Sequence, residues 1–399
     1  MRGLVVVLFL LLAHFACCDP LLWPYPKEIS LGDESIFVDP VALKSTVPSN
    51  YILDKAFERY EALFFPFDDI QQPVMDGSLG RLSELMIAVT STDPTLDIGT
   101  DESYELTISS NKKGKYIAAI TAANCFGALR GLETFSQLIQ VVPSAQGKQF
   151  SYQIPNVPIT ISDSPRFQWR GLLVDTARHY ATIKELENIL EGMAYSKLNV
   201  FHWHLTDSQS FPFESESYPD LIKGAYRPDE IYTHEDVAYI VRYAYLRGIT
   251  VIPEIDTPGH VKSWEQGYSG VTLPCMVGQG SDAIDAGILN PANPLTYDII
   301  EGLYTEQISL FPSYIHIGAD EVKTHCWTDN STYVEASREF WEQPDINVSP
   351  YDTNAIAAYF YSRTIPVLTQ HMRGYVAWEE FQLGGASTPY PDTIIQAWR

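Results

Sequence analysis

From Arg170 onward, short apolar runs alternate with helical patterns that carry their own start signals, and no other feature constrains the fold as strongly. Six strands are predicted: Gly171 to Asp175, Val200 to Thr206, Ile249 to Ile255, Tyr314 to Ala319, Tyr375 to Trp378 and Thr393 to Trp398. Between the first two, Thr182 and Glu185 form a capping box ahead of Ile183, Leu186, Ile189, Leu190, Met193 and Ala194 at helical spacing. Thr233 and Asp236 stand at the start of the next helix, whose buried face is Val237, Ile240, Val241, Ala244 and Tyr245. Asn293-Pro294 supplies the N-cap and first turn of another. Strand, helix and strand in succession imply βαβ units and a parallel sheet. Polar groups recur at the C-terminal ends of these strands: Asp175 to Arg178, Asp207, Asp256 and His260, Asp320-Glu321, Trp378 to Glu380, and Trp398. In an α/β (β/α)8 TIM barrel all those ends face one way and build the active site. An open doubly wound sheet is the alternative, but it would concentrate its site at one crevice, and no glycine-rich phosphate loop follows any strand.

Residues 19–164 have a different rhythm, that of a small N-terminal α+β domain. Runs at Met86 to Thr90, Tyr104 to Ser109 and Tyr116 to Ala122 precede an amphipathic helix over Cys125 to Ile139. A proline-studded stretch, Pro155, Pro158 and Pro165, leads into the barrel domain, 165–399. Residues 1–18 have the form of a signal peptide: Arg2, an apolar run from Leu4 to Leu12, then small Ala16 and Cys18. That run is well short of the ~20 residues a bilayer needs, so a soluble protein of a lumenal compartment or the exterior is expected, with no membrane span. The sequons at Asn330 and Asn347 agree with that route as glycosylation sites.

Past the signal peptide three cysteines remain. Cys275 and Cys326 lie in segments that read as loops, and bridging them closes a loop worth ~4 kcal/mol in the chain-entropy account. Cys125 opens a helical pattern and is expected to be a buried free thiol. With 26 Lys plus Arg against 50 Asp plus Glu, the formal charge of −24 repels phosphate backbones and anionic lipid. The charge therefore argues against nucleic acid and membrane surfaces as partners, and 24 Tyr, 18 Phe and 8 Trp offer walls for neutral or polar ligands.

His316-Ile317-Gly318-Ala319-Asp320-Glu321 is the most informative segment. Adjacent carboxylates on an extended chain diverge, so they do not readily flank a glycosidic bond as the ordinary acid and nucleophile with ~5.5 Å between them. One acid with one assisting carboxylate fits better. His202-Trp203-His204 puts two imidazoles on one strand face, and with His260, His316 and Asp320 suggests the metal site of an amidohydrolase as the rival reading. Asp207 and His260 have a second use, as an Asp-His pair holding a glutamic acid and tuning its pKa. Trp378 and Trp398 serve either the core or the walls of a sugar pocket. Arg178 either donates in a fork to vicinal hydroxyls or forms a salt bridge to Asp175 or Asp320.

Four ordered motifs, Arg170 to Tyr180, Phe201 to Asp207, Glu254 to His260 and His316 to Val322, together resemble glycoside hydrolase family 20, most of all its animal lysosomal β-hexosaminidase α and β subunits. The resemblance extends through Gly127 to Gln137 and runs to the last residue. It implies an exo-acting β-N-acetylhexosaminidase that removes terminal non-reducing β-linked GlcNAc or GalNAc from glycoproteins, glycolipids and oligosaccharides. The implied mechanism is retaining and substrate-assisted, with no metal and no cofactor. Glu321 matches the general acid and later base, and Asp320 the carboxylate that orients the 2-acetamido group. Asp207 and His260 match the pair behind the acid, Arg178 the group on ring hydroxyls, Trp378 and Trp398 two walls of the acetamide pocket, and Cys275 and Cys326 a disulfide beside the site. Lysosomal or secreted placement and a dimer in the complete form are implied as well.

Two departures stand out. The family usually has glycine where Ala319 stands, which is costly if that position needs close packing or positive φ and tolerable in ordinary β geometry. The chain also ends within the sixth strand, without the last two strands and the Tyr, Trp and acidic residues they carry. The expectation is a truncated form, inactive alone or acting as a sugar-binding fragment.

Overall fold

A computed structural model describes residues 21–40, 44–46, 48–67, 79–111, 115–143, 150–278, 280, 283–371, 374–383 and 392–399. The signal-peptide segment, 1–18, lies outside the described residues. Two compact units account for the chain: one is Met1–Arg170 with Glu191–Asn199 and Leu246–Gly248, and the other is Gly171–Leu190, Val200–Tyr245 and Ile249–Arg399. Among the described residues no helix is long and apolar enough to cross a membrane.

The first unit is a mixed sheet with helices. Its strands are β1 (Glu28–Val38), β2 (Lys44–Thr46), β3 (Gly80–Val89), β4 (Tyr104–Ser110), β5 (Tyr116–Ala122), β6 (Gln140–Pro143) and β7 (Phe150–Asp163). Their order is β1-β3-β5-β4-β7-β6, with β2 on β3 and β1 also on β7. Helix α1 (Tyr51–Phe64) starts where Asn50 Oδ1 accepts the N–H groups of Ile52 and Leu53, and it buries Ile52, Leu53, Ala56, Tyr60 and Phe64 at helical spacing. Asn124 caps α2 (Cys125–Leu138) in the same way, and α2 packs on β3, β4 and β5. Phe64 of α1 meets Phe135 of α2 edge-on at 5.0 Å. Cys125 is a buried free thiol.

The prolines at 155 and 158 do not mark a boundary, as the sequence suggested, but lie inside β7. They fall between the residues that pair with β1: Ile154 faces Ile36, Val157 faces Glu34 and Ile159 faces Leu31, with register shifts between these pairs. A missing N–H is harmless in such an irregular stretch. The first unit also buries an ion cluster. Glu102 accepts from Arg130 (Nε, 2.7 Å) and from Arg170 (Nη2, 2.5 Å).

In the second unit β8 (Gly171–Asp175), β9 (Val200–Thr206) and β10 (Thr250–Ile255) pair in parallel, each beside the next in sequence. Parallel bridges from Glu254 to His316 and from His316 to Val376 carry the pairing on to β15 (Val376–Trp378), which pairs in parallel with β16 (Ile394–Gln396). The predicted strand Tyr314 to Ala319 thus shrinks to a bridge at His316, because Gly318 and Ala319 turn left-handed, at φ 72° and 70°. Helices α3 (Ile183–Tyr195), α4 (His234–Tyr245), α5 (Pro294–Leu310), α6 (Ser331–Trp341) and α7 (Thr353–Thr369) connect these segments. The Thr182-Glu185 and Thr233-Asp236 pairs form reciprocal caps, and Asn293 Oδ1 accepts from Leu295 N–H. Short hairpins, β11 (Thr272–Leu273) with β14 (Ile288–Leu289) and β12 (Met276–Val277) with β13 (Ile284–Asp285), stand between β10 and α5 and carry Cys275. Every residue of β9 and β10 is buried, whereas Leu172 and Leu173 of β8 are each 40% exposed.

Glu102→Gln should destabilise the first unit by about 3 kcal/mol, since the buried Arg130 guanidinium would lose its ion-pair partner and Arg170 would lose one of its own. A shift of the urea midpoint measures it, and an unchanged midpoint would show that the cluster is dispensable.

Candidate active site

The site begins with a carboxylate inside the sheet. Glu254, near the end of β10, has no exposure to water. Its Oε2 accepts from His202 Nε2 at 2.6 Å and from His204 Nδ1 at 2.7 Å, and its Oε1 accepts from Trp378 Nε1 at 2.8 Å, with His316 Nδ1 3.4 Å away. The alternation of β9 aims His202 and His204 at Glu254, while Trp203 is buried elsewhere and donates to Thr176 Oγ1. Burial alone would raise Glu254, and the imidazoles that surround it, the charged His204 and the hydrogen-bonded His202 above all, hold it well below the usual carboxylate range.

His204 also donates from Nε2 to Asp207 Oδ2 at 2.9 Å, so both its nitrogens meet carboxylates. Burial opposes its charge, but Glu254 and Asp207 outweigh burial and raise it to about 10. Burial takes His316 down to about 3, so this ring is neutral at pH 7. It stacks on His202 at 4.5 Å and leans on Trp378 at 4.9 Å.

Asp207, just beyond β9, is fully buried and passes the chain of contacts outward. It accepts from Ser208 N–H, pairs with Arg178 Nη2 at 2.7 Å and faces His260 Nδ1 at 3.4 Å. Burial would raise its pKa, but the hydrogen bonds from His204 and His260 drive it well below the ordinary value. His260 is raised in turn, as its bond to Asp207 outweighs burial. Its Nε2 stands 3.7 Å from Glu321 Oε2, 3.8 Å from Asp320 Oδ2 and 3.9 Å from Asp256 Oδ2.

Asp320 and Glu321 follow one left-handed turn, and both carboxylates approach the same His260 nitrogen. Asp320 is 21% exposed and turned towards Asp256, while Glu321 is 44% exposed. Asp256 accepts Ala319 N–H at 2.8 Å, and a Cβ on Gly318 would overlap Asp256 Oδ1. Burial, then the neighbouring charges of Asp320 and Glu254, push Asp256 well above the usual range, and burial raises Asp320 too. Asp256 Oδ2 and Asp320 Oδ1 are both buried without a donor from elsewhere. Their closeness and burial favour a proton in this pair, most strongly on the more deeply buried Asp256.

Arg178 is already engaged by protein groups, with Nη1 on Asp175 Oδ2 at 2.7 Å, Nη2 on Asp207 and Nε on Gln209 Oε1 at 3.1 Å. The structure thus gathers Asp207, His260, Asp320, Glu321, Arg178 and Trp378. Trp398 stands apart from them, 48% exposed, with its indole N–H on Glu380 at 2.9 Å. Cys275 and Cys326 are disulfide-bonded, and Asn330 and Asn347 are both exposed. Two cavities flank Glu321, of about 230 Å³ and about 410 Å³. The side-chain sets His202-Glu254-His316 and His260-Asp320-Glu321 each bring ligand-type atoms within 4.8 Å. In the first set His202 Nε2 and Glu254 bond to each other, so a metal there would compete with the bond that holds them.

Glu254 is a functional candidate to which the sequence reading gave no role, and Asp256 figures there only as one of the polar groups at the strand ends. A single Glu inside an otherwise apolar, buried strand was the available signal, because such a charge persists only if several donors meet it.

Comparison with known proteins matches residues 167–399 to the catalytic domain of glycosyl hydrolase family 20 and residues 22–138 to a beta-acetyl hexosaminidase like domain. "Beta-hexosaminidase 1" of Arabidopsis thaliana is 37% identical over 393 residues, covering 95% of this chain and 68% of that protein. The rat "Beta-hexosaminidase subunit alpha" is 36% identical over 409 residues, 98% of this chain and 73% of its own. Among solved structures, the chitobiase of Flavobacterium johnsoniae superposes with a TM-score of 0.74 at 30% identity, covering 95% of this chain. The chain spans 55% of that chitobiase.

Two outcomes follow from this geometry. Ala319→Gly should raise stability by about 1 kcal/mol, because only glycine takes φ near 70° without steric cost, and a denaturation midpoint that does not rise would contradict that. In imidazole nitrogen NMR, His204 should stay protonated through pH 8 and His316 neutral down to about pH 4. With its folded pKa raised, His204 contributes stability that is complete below its ordinary 6.5 and lost as pH rises through about 10.

Proposed function

Because the chain belongs to glycoside hydrolase family 20, we propose that it is an exo-acting β-N-acetylhexosaminidase that cleaves terminal β-linked N-acetylhexosamine from glycans with retention of configuration. The observation that carries this reading is the pairing of a part-buried Asp320 with a more exposed Glu321, with His260 within 4 Å of both. The acetamido oxygen of the bound sugar attacks the anomeric carbon as the bond to the leaving oxygen breaks, and Glu321 donates its proton to that oxygen. Asp320 accepts the acetamido N–H and offsets the positive charge of the oxazolinium that forms. Water then adds to the anomeric carbon, its proton passes to Glu321, and the ring opens.

Asp207 and His260 hold Glu321, Trp378 walls the acetamide, and Arg178, fixed by Asp175 and Asp207, turns its remaining edge to ring hydroxyls. Trp398 joins the pocket wall only if it moves from Glu380. The same reading takes the run of parallel strands as part of a (β/α)8 barrel in a catalytic domain, 165–399, behind a supporting domain, 19–164. Delivery to the lysosome or the exterior, glycans on Asn330 and Asn347, and pairing into dimers belong with it.

Glu321→Gln should lower turnover of an unactivated N-acetylglucosaminide by ~10²–10⁴. Asp320→Asn should cripple substrates with a 2-acetamido group while leaving the acid in place. Near-normal activity of the first variant, or a covalent sugar ester trapped on Asp320, would overturn the mechanism. Abolition of activity by a chelator would favour the metal hydrolase instead.

A further inference from the structure

The first unit holds a cavity of about 360 Å³ to which the catalytic cluster contributes no residue. Its floor is ionic and satisfied from within. Glu102 lies between Arg130 and Arg170, and Asp163 takes the Lys197 ammonium at 3.3 Å and the Tyr104 hydroxyl at 3.0 Å. The mouth is different. Tyr25 and Phe167 stand there 54% and 62% exposed, beside Pro24 and Pro165. Two exposed cations on the same wall, Lys27 and Arg166, form no ion pair among the described residues. Lys27 Nζ rests on the Ser164 hydroxyl at 2.6 Å, and the Arg166 guanidinium lies 5.4 Å from the centre of the Phe167 ring.

Charge and shape together define an occupant. The cavity wall carries five cations against two carboxylates, in a chain whose formal charge is −24. Both carboxylates are taken up by the floor, so the cations at the mouth are left to meet an anion from outside. A surface that is acidic overall turns anions away, and one is held only where the sign reverses locally. The exposed rings ask for a flat apolar body, and a cavity above roughly 300 Å³ has room for a small organic molecule.

We propose that this cavity binds a small flat anion, an aromatic ring bearing a carboxylate, with the ring against Tyr25 and Phe167 and the carboxylate on Arg166 and Lys27. The site shares no residue with the catalytic cluster, and it stands or falls independently of the hexosaminidase reading.

The test titrates the full chain by calorimetry with 2-naphthoate, its neutral counterpart 2-naphthamide, and octanoate, which has the charge without the ring. 2-Naphthoate should bind at one site and more tightly than the other two. Arg166→Gln and Lys27→Gln should each weaken 2-naphthoate about fivefold, the size of one surface ion pair, and leave 2-naphthamide unchanged. Phe167→Ala should weaken both naphthalene probes. All three side chains are exposed, so these variants should keep the thermal midpoint of the unaltered protein. Glu321→Gln should bind 2-naphthoate as the unaltered protein does. No saturable binding below ~1 mM, affinities constant within twofold across the Arg166, Lys27 and Phe167 variants, or 2-naphthamide or octanoate binding as tightly as 2-naphthoate would each overturn the inference. So would loss of binding in Glu321→Gln, which would put the anion in the catalytic site.

Discussion

A carboxylate shut away from water needs donors on every side, and Glu254 obtains them from two different segments: His202 and His204 from β9 and Trp378 from β15, with His316 close by. Each of those segments must hold its register for the charge to be tolerable, because an uncompensated buried ion costs several kcal/mol. The charge therefore works as an alignment pin for the parallel strands. What lies above it follows: His204 reaches Asp207, Asp207 reaches His260, and His260 approaches Asp320 and Glu321. The second anchor is main-chain geometry. Gly318 has no Cβ, so Asp256 can lie against it and accept Ala319 N–H, and beyond that turn the two adjacent carboxylates differ in exposure. One side chain is drawn into a buried pair and its neighbour is left open.

Much of this was legible in the residues. The bounds of β8 and β9 coincide with the apolar runs Gly171 to Asp175 and Val200 to Thr206, and the Thr182 and Thr233 boxes cap helices as their spacing implies. These features are local, and local propensity and burial agree. What escaped depends on partners far away in sequence. Pro155 and Pro158 signal a break to a local reading, yet β7 absorbs them because β1 supplies a matching irregularity. The preference for glycine at 319 is set by φ, which hydrophobic periodicity does not encode. Glu254 becomes intelligible only when the imidazoles around it are seen, and Trp398, read as a pocket wall, rests on Glu380 because its nearest acidic neighbour in space competes for the indole N–H.

The raised pKa values of Asp256, Asp320 and His204 bear on the ledger of ions as well as on the chemistry. Counting each carboxylate as ionised and each histidine as neutral gives −24, and this buried cluster works against both assumptions. Unfolding at neutral pH would relax these shifts and release protons to the solvent. A buffer with a large ionisation enthalpy would therefore register the opening of this one site as heat, distinct from the heat of the rest of the chain coming apart.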